Sequence, residues 1–124
     1  MLKPKLMRKQ AYLQAYPQAM DGHHKCVPVL CTVYMFTYRG VDFYAAHETC
    51  NRVYWNVYDV KTGLAVWKGF ARKTRNDAIN AFTSENNIEK FIIYLKLIKT
   101  DEYRKLENEF YFAVRALQNR QGDN

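Results

Sequence analysis

Residues 53–82, VYWNVYDVKTGLAVWKGFARKTRNDAINAF, hold the switch on which the fold turns. Aromatic and β-branched residues from Val53 to Val60 give a strand. The tetrad Val60-Lys61-Thr62-Gly63 places glycine where a left-handed residue closes a hairpin, and Leu64–Lys68 reads as the returning strand. A basic junction, Lys68 to Arg75, then leads into a helix capped at Thr74, with Asp77 completing a capping box and Ala78, Ile79 and Phe82 at helical spacing.

Upstream, Val27–Tyr38 is apolar at both parities, as a strand covered on both faces would be, and Arg39-Gly40 turns it into a partner strand, Val41–His47. With the 53–68 hairpin this makes a four-stranded antiparallel meander. Pro4 suits the first turn of a short N-terminal helix running towards Tyr16, Pro17 stops it, and Asp21-Gly22 marks a turn. Downstream, Ile88, Phe91, Ile92, Leu95 and Ile98 favour a helix over an additional strand through FIIYLKLI. Thr100 caps a last helix with Tyr103, Leu106, Phe110, Ala113, Val114 and Leu117 as its core stripe, fraying after Gln118. The expectation is a single α+β domain over residues 1–124: a short N-terminal helix, a four-stranded meander, and two or three C-terminal helices on one sheet face.

The 124 residues are 48% hydrophobic and 15% aromatic, enough for a real core, and the net charge of +7 favours an anionic partner. That charge is unevenly placed. Residues 61–75 carry Lys61, Lys68, Arg72, Lys73 and Arg75 with no acid, and residues 1–40 carry Lys3, Lys5, Arg8, Lys9, Lys25 and Arg39 against Asp21 alone. Cations at a helix start oppose its dipole, a cost that a phosphate docked on the same N–H groups would turn into a gain. The sequence has no apolar stretch that spans a bilayer and no signal-peptide pattern at its start, so the expectation is a cytoplasmic protein with no membrane partner and reduced cysteines.

The candidate anion site is therefore Lys61, Lys68, Arg72, Lys73 and Arg75, joined by Lys3, Lys5, Arg8 and Lys9, with Tyr54, Tyr58 and Trp67 offering rings for stacking or protein contact. Trp55, Val57, Phe36 and Val33 read as core. A metal alternative, Cys26, Cys31, His47 and Cys50, has the right ligand types but poor C-x4-C spacing; pairing Tyr38 with Val41 would put Cys31 and His47 on opposite faces. The expectation is no metal and no cofactor. With no Gly-rich phosphate loop, G-x-S-x-G, HExxH or paired-carboxylate motif, none of the catalytic signatures is present and a non-enzymatic protein is expected.

The run Trp55 … Gly63 … Lys68-Gly69-Phe70 … Lys73-Thr74 … Ala78 resembles the strand–turn–strand–helix pattern of AP2-like DNA-binding domains of phage integrases. The resemblance implies that Tyr54, Asn56 and Tyr58, or their opposite-face neighbours, approach DNA. Gly69–Ala81 is also similar in texture to the last helix of the double-stranded-RNA-binding domain, whose basic start grips phosphates, although Ile79 and Phe82 depart from that family's alanine-rich pattern. The functional expectation is a small binding module for nucleic acid or a nucleoprotein complex. The alternative is an inhibitor or adaptor of the kind phages and plasmids encode, anti-CRISPR-like, that binds a single protein target.

Overall fold

The computed structural model describes residues 4–15, 27–49 and 51–122. It is an α+β fold: a four-stranded antiparallel sheet followed by three helices. The strands are β1 (Met7–Gln14), β2 (Pro28–Tyr38), β3 (Val41–His47) and β4 (Trp55–Asp59), paired in the order β1-β2-β3-β4. The helices are α1 (Arg75–Thr83), α2 (Ile88–Leu97) and α3 (Asp101–Gly122).

The first element among the described residues is a strand, not the expected helix. Met7–Gln14 pairs along its whole length with β2, from Met7 opposite Met35 to Gln14 opposite Pro28. Its composition is helix-prone, but it alternates when read against β2: Ala11 and Leu13 join one buried cluster, while Arg8, Gln10 and Tyr12 share the other face. The apolar edge of β2 overrides local propensity.

The fourth expected strand, Leu64–Lys68, is reduced to one bridge, Ala65 opposite Tyr58. Regular pairing from there would set Lys68 opposite Trp55, yet Arg72 stands there, exchanging both backbone bonds with Trp55 (2.7 and 3.0 Å). The intervening residues loop out through a 3-10 turn at Lys68–Phe70, which drives Phe70 into the core and lays Trp67 edge-on against it. Only part of the strand–turn–strand–helix pattern suggested by the AP2-like resemblance is thus formed.

One sheet face packs against α1 and α2. Its core joins Phe36, Phe43, Ala45 and Val57 of the sheet to Phe70, Ile79, Phe82, Phe91 and Tyr94. Phe82 is the hub: the rings of Phe36, Tyr38, Phe43, Phe70 and Phe91 all lie within 6.4 Å of it, mostly edge to face. The other face buries Leu13, Val33, Tyr44, Ala46 and Tyr58, a cluster without a helix residue among the described residues. It is enclosed by the curl of the sheet, because the end of β1 reaches the turn beyond β4: Gln14 N–H donates to Gly63 O (2.9 Å) and Gln14 Nε2 to Thr62 O (2.7 Å).

The helices begin as the sequence indicates. Thr74 Oγ1 accepts from Asp77 N–H (3.1 Å) and Thr100 Oγ1 from Tyr103 N–H (3.2 Å). FIIYLKL lies within α2, with Ile98 as its C-cap, but the buried side is Phe91 and Tyr94, whereas Ile92 is exposed. Helix α3 runs past Gln118 to Gly122. Its start is tied to the sheet through Asp59, a buried carboxylate that accepts from Tyr94 OH, Tyr103 OH (2.8 Å), Thr62 N–H (3.0 Å) and Thr62 Oγ1 (2.7 Å).

Candidate nucleic-acid interface

The helices cover only part of their sheet face. Beyond Phe36, Ala45 and Val57 the same face continues as Tyr34 and Thr32 on β2, His47 on β3 and Trp55 on β4, all half-buried or exposed. Register places these rings together. His47 stands directly opposite Trp55, with ring centroids 3.9 Å apart, and Tyr34 lies 6.0 Å from Trp55. On β1 Arg8 is directly opposite Tyr34, and Gln10 Nε2 donates to Thr32 Oγ1 (2.7 Å).

The junction before α1 supplies the rest. Arg75, Ile79 and Phe82 fall on one stripe of α1, so burying Phe82 and Ile79 turns Arg75 toward the sheet. Its guanidinium lies 4.4 Å from the centroid of Tyr34, a cation–π contact, and its Nε is buried without a hydrogen-bond partner among the described residues. A small cavity of about 240 Å³, lined by Pro4, Leu6, Arg75, Asn76, Ile79 and Asn80, lies beside it. Arg72 reaches the patch by pairing with Trp55; its Nη1 donates to Gly69 O (2.9 Å) and Ala71 O (2.7 Å). Lys73 is exposed next to it.

None of these cations is paired with a carboxylate among the described residues. The only ion pair among the described residues is Arg104 with Asp101, on α3. The two basic stretches of sequence therefore converge on one face, through Arg8 from the first and Arg72 and Arg75 from the second.

Other candidates lie elsewhere. Tyr58 is only 4% exposed, inside the curl of the sheet, and cannot stack a base. Tyr54 is half-buried, just ahead of β4. Trp67 packs over Gly69 and Phe70 with Lys90 Nζ 4.3 Å from its ring. Lys61 sits in a groove with Glu107 and Tyr111 of α3. Lys9 is on the opposite sheet face, 5.7 Å from the Tyr44 ring, and Lys5 precedes β1. Lys68 is exposed on the 3-10 turn. Trp55, expected in the core, is only half-buried and belongs to the patch; Val57, Phe36 and Val33 are buried.

Lys3, Cys26 and Cys50, with the Asp21-Gly22 turn, lie outside the described residues. The register does pair Tyr38 with Val41, so Cys31 joins the inner cluster while His47 stacks on Trp55 across the sheet. Burial pushes the Cys31 thiol up, partly offset by the charge of Arg52. Among the described residues no group of three or more His, Cys, Asp or Glu side chains is placed to hold a metal ion, and no helix is long and apolar enough to cross a membrane. No family model, characterised protein or solved structure matches this chain.

Proposed function

We propose that the protein is a non-catalytic binding module for nucleic acid, alone or within a nucleoprotein complex. The observation that carries this reading is the convergence of Arg8, Arg72 and Arg75, unpaired with any carboxylate among the described residues, around the rings of Tyr34, His47 and Trp55, with Lys73 exposed next to Arg72. Cations give affinity for phosphate through counterion release, and rings beside them give a surface for bases. The test is fluorescence anisotropy with labelled DNA and RNA across a salt series. The expected result is binding whose logarithm falls linearly with the logarithm of salt concentration, weakened at least tenfold by Arg72→Glu with Lys73→Glu. Absence of binding to either polymer at low salt overturns the reading.

A second reading, an inhibitor or adaptor that binds a protein target, is favoured by one feature: Ile93 and Leu97 of α2 and Phe112 of α3 are exposed, Phe112 to 67%. Recovery of a single stoichiometric protein partner after nuclease treatment, together with no binding to naked polymer, would select it.

A further inference from the structure

We infer that the face bearing Tyr34, His47 and Trp55 takes single-stranded nucleic acid, laid across the strands with bases on the rings and phosphates held by Arg8 at one end and Arg72 at the other. This rests on the nucleic-acid reading above and narrows it to one substrate class.

The rings carry the distinction. A duplex presents phosphates and groove edges but keeps its base faces stacked inside, so binding it calls for cations alone. Here three rings come from three adjacent strands; His47 and Trp55 lie beyond the part of this face on which α1 and α2 pack, while Tyr34 is met by Arg75 at the start of α1. Such a surface gains stacking energy only from bases that are already splayed out, and it does so for every base type. Arg75 already caps one side of Tyr34, so the open ring is the exposed His47, backed by Trp55. Beside it the guanidinium plane of Arg75 over Tyr34 offers a second step of the kind on which unpaired bases stack.

The cations mark the direction of the chain. Arg8 lies on β1 and Arg72 beside β4, with the rings between them. At about 4.8 Å per strand, crossing from β1 to the segment beyond β4 covers about 19 Å measured along the sheet, room for a few nucleotides. Arg72 is ready for its role. Both Nη1 hydrogens are used on backbone carbonyls, which fixes the side chain and leaves the Nε and Nη2 donors for a phosphate with little rotamer entropy to lose.

The experiment uses the full chain carrying Trp67→Phe, which makes Trp55 the sole tryptophan. It is titrated with fifteen-nucleotide single-stranded DNA and RNA and with the corresponding duplexes, reading anisotropy of the labelled polymer and emission of Trp55. The expected result is preference for single strands, with Trp55 emission changed by them alone. His47→Ala with Trp55→Leu should weaken single-strand binding roughly 5- to 150-fold and leave duplex binding within twofold. Arg8→Ala, on an exposed edge-strand position, should lower the salt slope by about 1 without touching the fold. Should Trp55→Leu disturb folding by circular dichroism, His47→Ala and Arg8→Ala decide alone. Duplex bound as tightly as single strands, or single-strand affinity unmoved by His47→Ala, overturns this inference while leaving the broader reading intact. Failure to bind any polymer overturns both.

Discussion

The guanidinium of Arg75 rests 4.4 Å from the centre of the Tyr34 ring, and its Nε is sealed there without an acceptor among the described residues. A partly exposed cation–π contact contributes about 0.5–1 kcal/mol, whereas a buried donor left without a partner costs about 1–3 kcal/mol. The cost wins, so Arg75→Met, which keeps an unbranched apolar cover over Tyr34, should hold or raise stability by up to about 2 kcal/mol in urea unfolding. The same substitution should weaken polymer binding and lower its salt slope by about 1. A loss of stability would show that Arg75 serves the fold rather than a ligand.

Asp59 should be the most sensitive polar position. One carboxylate joins β4 and the following turn to α2 and α3 through Tyr94, Tyr103 and both polar groups of Thr62. Asp59→Asn replaces an acceptor oxygen with a donor facing hydroxyl and amide hydrogens, and should cost about 2–4 kcal/mol in chemical denaturation. Tyr103→Phe should cost about 1.5–3 kcal/mol, and the double variant less than the sum, since the two share one hydrogen bond.

Alkali should unfold the protein through the same cluster. Burial, then the hydrogen bond and negative charge of Asp59, push the Tyr94 and Tyr103 phenols far above the ordinary tyrosine range. In the unfolded chain both titrate near pH 10. Their contribution is thus complete below about pH 10 and is lost as pH rises beyond it, at about 1.4 kcal/mol per pH unit for each phenol. Denaturation midpoints at pH 9 and pH 11 should show the fall, and Tyr103→Phe should shallow it.

Gly63→Ala should be poorly tolerated. Gly63 has φ +69°, and an added Cβ would stand 2.7 Å from Phe110 Cζ and 3.1 Å from the Gln14 backbone nitrogen. The ring of Phe110 is itself buried, so α3 would have to move. Backbone strain of about 1 kcal/mol and overpacking of about 1–3 kcal/mol should lower the melting temperature by several degrees.

The parts of the fold legible in the sequence are those whose signal is local. β2 and β3 are dense in β-branched and aromatic residues around Arg39-Gly40, and Thr74 and Thr100 mark helix starts by a side chain that acts within three residues. β1 was not legible, because Lys, Gln, Ala, Leu and Met say helix while its strand state is imposed by β2. The basic junction could be seen as a cluster; the rings beside it could not. Tyr34, His47 and Trp55 lie on three strands and meet only through register. Parity within β4 was no guide, since the curl of the sheet buries Asn56 and Tyr58 where an open sheet would expose one side.

The bonds from Gln14 to the turn beyond β4 link positions 48 and 49 residues apart, and they form only once β2, β3 and β4 are in place to bring that turn round. Such a contact should form late in folding and open early. β1 should therefore behave as a latch, with amide hydrogens that exchange by a sub-global opening well below the free energy needed to expose β3. Arg8 travels with that latch. A polymer held between Arg8 and Arg72 would bind only the closed form and slow the exchange of the Gln14 amide, more than 10 Å along the strand from Arg8, in proportion to its occupancy.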